Sequence, residues 1–312
     1  MMMARMADAA VPASRPARRE VDGILLLDKP VGLTSNAALQ RVKRLFRARK
    51  AGHTGSLDPL ASGMLPVCLG QATKVSAFLL DADKAYTVTA QFGTATDTAD
   101  AEGVVIAESA LKQVSRDRLE QAMAGLRGEI SQVPPMYSAL KQGGRRLYEL
   151  ARAGQQVERA PRQVWIRALD IEHFDPSRPV LTVRCSKGTY VRTLVEDLAL
   201  ACGSLAHVAA LRRSEVTPFC AGGMVTMEQL EAAGDDLGSL DSLLRPVDEA
   251  LAGWPAVRLS AADARCLCQG QSVRAADPII PGRVRLYEPQ GRFLGMGEVD
   301  SDGRLFPRRL FV

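Results

Sequence analysis

The run from Ala51 to Pro66, AGHTGSLDPLASGMLP, does not read as an ordinary helix or strand. Glycines at 52, 55 and 63 and prolines at 59 and 66 punctuate it. Glycine opens backbone angles closed to other residues, and proline fixes φ and removes a donor. Set in this frame are an imidazole (His53), two hydroxyls (Thr54 and Ser56) and a carboxylate (Asp58). The run then continues into Met64-Leu65-Pro66-Val67-Cys68-Leu69, almost wholly apolar, as a short buried strand is. A polar loop anchored on such a strand is where folds often display binding and catalytic groups. Read alone, Asp58-Pro59 is equally a turn signal, so the pattern by itself leaves both readings open.

With 312 residues, 46% of them hydrophobic, the chain can bury the core of one large domain or two. No stretch approaches the roughly 20 apolar residues of a membrane helix. The first 20 residues carry Arg5, Arg15, Arg18 and Arg19 without the apolar core of a signal peptide. They read as a disordered basic tail, and the chain as cytoplasmic. Net charge is +5, modest but clustered, which points to a polyanionic partner. The six cysteines contain no C-x-x-C pair and read as reduced, mostly buried thiols. Cys266-x-Cys268 has no second Cys/His pair nearby, so no metal site is expected.

Residues 23–30 predict a buried strand stopped by Pro30, and Thr34 or Ser35 can cap a helix running to about Arg49. Its apolar positions Ala38, Leu39, Val42, Leu45 and Phe46 keep helical spacing. The other face carries Arg41, Lys43, Arg44 and Arg47, with Arg49 and Lys50 beyond, and is the expected phosphate-contact surface. A helix is predicted over 71–81, a half-buried strand over 84–92, a loop over 93–100 and a helix over 115–126. Prolines 134 and 135 and glycines 143 and 144 make 130–160 a mobile basic insertion, with a short helix from 147 to 153. Strands follow at 162–174 and 180–186, a helix at 190–201 and a strand at about 205–213. A composition change at 233–255 suggests a linker, and the last 60 residues a small, mostly β module. Irregular alternation with hairpin-like pairs predicts an α+β fold with a mixed, largely antiparallel sheet.

Several enzyme classes are excluded. There is no P-loop motif, no G-x-G-x-x-G after a strand, no H-E-x-x-H and no G-x-S-x-G. What remains is a carboxylate in a glycine-rich loop, an Arg/Tyr-rich turn after a strand, and basic surface. A lone carboxylate can act as nucleophile or base, and needs a cation to hold it ionised. Arg192 is the candidate cation.

Six blocks, in order, carry a resemblance. They are Gly23–Pro30, Gly52–Pro66, Asp83-Lys84-Ala85-Tyr86, Val133–Lys141, Cys185–Arg192 and His207–Arg213. Together they make the chain similar to the bacterial tRNA pseudouridine synthases of the TruB family over nearly all of 21–230. Residues 250–312 resemble, less specifically, that family's PUA-like RNA-binding domain. The resemblance implies a catalytic domain at 21–245, with 130–160 as an RNA-clamping insertion. It implies isomerisation of uridine-55 in the TΨC loop of tRNA, with no cofactor, no membrane, no required protein partner and a monomeric enzyme. Asp58 would be the catalytic aspartate, Tyr86 would stack on the flipped uracil, and Arg192 would pair with Asp58. His53, Tyr190 and Leu211 would line the pocket, and Lys29 would support it from the first strand. Assistance to tRNA folding could accompany catalysis. Rival readings are a noncatalytic RNA-binding protein of the same architecture and a synthase guided by a small RNA. Whether Asp58 attacks sugar or base, or removes a sugar proton, stays open at this level.

Overall fold

The computed structural model describes residues 17–138, 140–274 and 280–311. Most of the tail (1–16) and Ala139 of the fourth block lie outside the described residues. The strands before the C-terminal module are β1 (Gly23–Lys29), β2 (Ala51–His53), β3 (Ser62–Leu69), β4 (Lys84–Phe92), β5 (Thr94–Thr96), β6 (Val105–Glu108), β7 (Gly128–Gln132), β8 (Lys141–Gln142), β9 (Arg145–Arg146), β10 (Arg162–His173), β11 (Val180–Cys185), β12 (Ala206–Val216) and β13 (Val225–Thr226). The helices are α1 (Ser35–Leu45), α2 (Ser76–Asp81), α3 (Arg116–Gly125), α4 (Leu147–Arg152), α5 (Val191–Ala201), α6 (Met227–Ala233) and α7 (Leu237–Ser242). Nine strands form one sheet in the order β13-β1-β3-β12-β4-β11-β10-β7, with β2 also on β3. Only β1–β13 and β3–β12 pair in parallel, so the expected α+β, largely antiparallel architecture is what the chain adopts.

Burial explains why some strands read as apolar runs and others as alternations. β1 and β3 are covered on both faces. Leu25, Leu27, Leu65, Val67 and Leu69 enter the main core, while Ile24, Leu26, Met64 and Cys68 enter a second one. Strand β4 commits Val88, Ala90 and Phe92 to the main core and leaves Thr87, Thr89 and Gln91 half-exposed. Helix α5 buries Val191, Leu194, Val195, Leu198 and Ala199 on that core; each of the valines and leucines contributes about 1.5–3 kcal/mol. Strand β3 runs so close to β12 that a Cβ on Gly63 would lie 2.2 Å from the Arg213 carbonyl, which is why glycine stands there.

The C-terminal module comprises β14 (Ala256–Arg258), α8 (Ala261–Cys268), β15 (Val273–Arg274), β16 (Gly282–Tyr287), β17 (Phe293–Val299) and β18 (Arg304–Leu310). Its five strands are ordered β14-β16-β17-β18-β15 around their own core. Phe78 of α2 meets Trp254 edge-on with ring centroids 4.8 Å apart, and the Arg283 guanidinium lies 5.5 and 5.6 Å from the two rings. This is the junction between the two sheets.

Several expectations are corrected. Residues 17–20 are not a free tail. The Arg19 amide donates to the Arg47 carbonyl at 2.8 Å, and its guanidinium grips Asp241 with bonds of 2.7 and 2.5 Å. Bidentate charge-assisted bonds hold a segment with little apolar surface of its own. The stretch 233–255 is not a bare linker: it forms α7 and a 3₁₀ turn over Val247–Leu251, because Leu240, Ala250 and Leu251 are buried. The loop expected at 93–100 begins with β5, which pairs with β6 as a hairpin. Within the insertion, 130–132 belongs to β7, and the Gly143-Gly144 turn joins β8 to β9. Three cysteines (68, 185 and 202) are buried, whereas Cys220 and Cys268 are exposed.

Candidate active site

The loop before β3 is held on both sides of Asp58. Thr34 caps α1 by accepting from the Ala37 amide, which frees the buried Ser35 hydroxyl. That hydroxyl bonds both the Leu57 carbonyl (2.9 Å) and the Leu57 amide (2.7 Å). On the far side, Gly32 N donates to Pro59 O at 2.8 Å. The carboxylate between these anchors lies 3.0 Å (Oδ2) from Nη2 of Arg192. Arg192 follows Tyr190 and Val191 at the start of α5, and only 6% of its side chain is exposed.

Arg192 is fully engaged. Nη1 donates to Thr98 O and Nη2 to Tyr137 O, both at 2.7 Å, and Nη1 lies 3.6 Å from the buried Asp100 carboxylate. Burial pushes the Asp58 carboxyl above the ordinary carboxylate range; Arg192 and Lys29 oppose the shift and Asp100 adds to it. A carboxylate so placed is a stronger base than a solvated one and remains anchored.

Asp58 and Arg192 open on a cavity of about 390 Å³, with Tyr86, Tyr190 and Leu211 also in its wall. Five of the seven residues singled out from sequence are thus together. Tyr86 is half-buried; burial raises its phenol pKa, against the positive charge of Arg213. Tyr190 is raised likewise by burial, against the positive charges of Arg162 and Arg192. The other two stand outside the wall. Lys29 is fully buried, donating to Pro30 O and Leu33 O at 2.7 Å, and burial lowers it to about 8 while the charge of Asp58 holds it up. His53 lies in β2, half-buried, with no partner for Nδ1 among the described residues. Burial first, then Arg213 and Arg146, lower its pKa, so the ring is neutral at pH 7.

The family model for the N-terminal domain of TruB family pseudouridylate synthases matches residues 43–191, and two C-terminal TruB models match 192–252 and 255–311. The tRNA pseudouridine synthase B of Stutzerimonas stutzeri (strain A1501) is 54% identical over 295 residues, covering 94% of this chain and 96% of that protein. That of Pseudomonas aeruginosa (strain UCBPP-PA14) is 53% identical, covering 94% and 97%. The chain belongs to the TruB family of pseudouridylate synthases. Its fold is similar to that of a chain in a Cbf5–Nop10–Gar1 complex (TM-score 0.71, 24% identity, 93% of this chain and 85% of that one). It is equally similar to a chain in an H/ACA ribonucleoprotein bound to a substrate RNA containing 2′-deoxyuridine (TM-score 0.71, 22% identity, the same coverage).

The TruB fold shows what sequence reading missed. Lys84, Arg213, Leu80, Ser138 and Thr189 complete the cavity wall, and Asp100 sits behind Arg192. Lys84 and Arg213 each stood inside a quoted block, but no pattern marks a lysine or arginine as buried. The expected phosphate surface is partly engaged within the protein. On α1 and just beyond it, Arg41 pairs with Glu231 (3.8 Å), Arg47 with Asp235 (2.6 Å) and Arg49 with Glu20 (2.5 Å). In the insertion, Lys141, Arg145, Arg146 and Arg152 are exposed, and among the described residues none has an acidic partner within ion-pair distance. No helix among the described residues is long and apolar enough to cross a membrane.

Proposed function

We propose that this chain isomerises uridine-55 in the TΨC loop of tRNA to pseudouridine, with Asp58 as the catalytic carboxylate. The observation that carries the reading is the 3.0 Å contact between Asp58 and the buried Arg192 guanidinium, at a cavity whose wall includes Tyr86. A base stacked in a folded loop is out of reach, so it must be flipped out at about a few kcal/mol. Stacking on an aromatic ring returns about 1–3 kcal/mol per base, which gives Tyr86 its role against the extruded uracil. Its raised pKa keeps the phenol protonated, so the hydroxyl near C5 works as a hydrogen-bonding group that helps the C5 proton leave.

Asp58 acts as nucleophile or base when the N1 link opens, and Arg192 holds it ionised and aimed. Tyr190 and Leu211 bound the nucleotide, and Lys29 acts on Asp58 through its charge. His53, beside the charges of Arg146 and Arg213, steadies the RNA under the insertion. The 130–160 insertion clamps the T stem-loop, and the PUA-like module at 250–312 adds a second RNA contact to the catalytic unit at 21–245. The reaction is an isomerisation that neither adds a group nor changes oxidation state, so a cofactor is not required. The enzyme acts as a cytoplasmic monomer, and RNA refolding accompanies capture of the arm.

Incubation with unmodified tRNA, followed by position-resolved mapping of pseudouridine, tests this. The expected product is pseudouridine at position 55 alone, and none with Asp58→Asn, which still binds tRNA. Product at another position, or turnover by the variant at the wild-type rate, overturns the assignment.

A further inference from the structure

The cavity wall holds two cations that the pairing of Asp58 with Arg192 does not use. Lys84, at the start of β4, is 6% exposed, and Arg213, in β12, is 1% exposed. Both line the cavity. Among the described residues neither forms an ion pair. Backbone carbonyls satisfy them instead. Lys84 Nζ donates to Leu80 O (2.7 Å), Ala82 O (2.5 Å) and Leu79 O (3.2 Å), at the C-terminal end of α2. Arg213 donates from Nε to Met64 O (2.7 Å) and from Nη2 to Gly55 O (2.9 Å). Gly55 has no side chain to cover the remaining arm: a Cβ there would lie 3.4 Å from Nη1. A buried charge without a counter-charge is costly and is normally paired. Two of them at one cavity wall make a site preset for negative charge that arrives later.

The reaction supplies that charge. When the N1–C1′ bond breaks, its electron pair stays on the uracil ring, spread over N1, O2 and O4. C5 then donates a pair to C1′, the C5 proton leaves, and N1 takes up a proton. The ring is anionic only between these steps, so a fixed positive field acts on that stage and not on the bound uridine.

We propose that Lys84 and Arg213 form an electrostatic cradle for the detached uracil anion, making them further catalytic residues of the isomerisation. The inference rests on the function proposed above. Burial and, after it, the charge of Arg213 lower Lys84 to about 8, against Cys185, Asp81 and Asp83. The ammonium is therefore present at neutral pH and is lost on the alkaline side.

The test varies the leaving group. Single-turnover loss of the N1-linked nucleotide is measured on T-arm RNA carrying uridine or 5-fluorouridine at the target position, with rates normalised to the RNA-binding fraction of each preparation; C5 of 5-fluorouridine has no proton to give up, so opening of the N1 link, not pseudouridine, is the common readout. Fluorine stabilises the ring anion by itself. Lys84→Gln keeps donors for the α2 carbonyls but removes the charge. It is expected to slow uridine by about a hundredfold, the scale of one lost oxyanion donor, and 5-fluorouridine by under tenfold. Lys84→Arg and Arg213→Lys, which keep the charge, are expected to stay within about tenfold of wild type on both. Equal losses on the two substrates, a loss of affinity alone, or no loss in Lys84→Gln overturns the cradle. Failure of the wild-type protein to convert uridine overturns the underlying function instead, and is seen in the control reaction.

Discussion

Two basic regions flank the cavity, and they are built for different work. Beside α1, arginines 41, 47 and 49 face Glu231, Asp235 and Glu20, whereas Lys43, Arg44 and Lys50 form no ion pair among the described residues, so about half of that face is neutralised within the protein. In the insertion, Lys141, Arg145, Arg146 and Arg152 project from a short hairpin and α4 without such partners, and the last two lie 5.8 and 5.6 Å from the Tyr148 ring. The first region therefore divides its cations between tying the fold together and facing outward, while the second leaves all four without an acidic partner among the described residues. A charge run in a sequence reports neither; only its neighbours do.

The contrast can be broken by experiment. The triple variant Lys141→Ala/Arg145→Ala/Arg146→Ala is expected to weaken tRNA binding by about 10- to 100-fold at low salt. It should also flatten the log–log salt slope by about 3, near one per lost phosphate contact; an unchanged slope in filter binding would refute the division of labour. A pH series separates binding from chemistry. The Asp58 pKa is raised, so acid protonates it early, and single-turnover rates should fall about tenfold per pH unit below that value. Affinity should stay flat there, because the insertion cations remain charged; parallel losses of both would contradict the assignment. Arg41→Ala/Arg47→Ala is expected to change affinity by under about threefold, since exposed pairs contribute only about 0–1 kcal/mol. The smallest effect is expected for Asp235→Asn, which releases Arg47: a salt slope steeper by at most about 1, read in the same titration.

Much of the frame was legible in the sequence. The unbroken apolar runs of β1 and β3 came from burial on both faces, and the alternation of β4 from burial on one. Asp58 and Arg192 were legible through their motifs, and the structure joins them at 3.0 Å. What escaped has physical causes. Strands β2, β5 and β8 are two or three residues long and too short to show a period. Helix α7 lay in a polar, glycine-bearing stretch whose buried anchor is a single residue, Leu240. Lys84 and Arg213 are satisfied by carbonyls, and a backbone carbonyl leaves no mark in a sequence.

One atom in the site serves two masters. Nη2 of Arg192 holds the Asp58 carboxylate and, at 2.7 Å, the Tyr137 carbonyl at the root of the insertion. The Ser138 carbonyl just after it takes the Tyr148 amide of α4 at 3.1 Å. The insertion and the Asp58 carboxylate are thus geared through a single nitrogen. A displacement of the insertion at its root therefore loads the same guanidinium that holds the Asp58 carboxylate, so a change made in one is transmitted to the other.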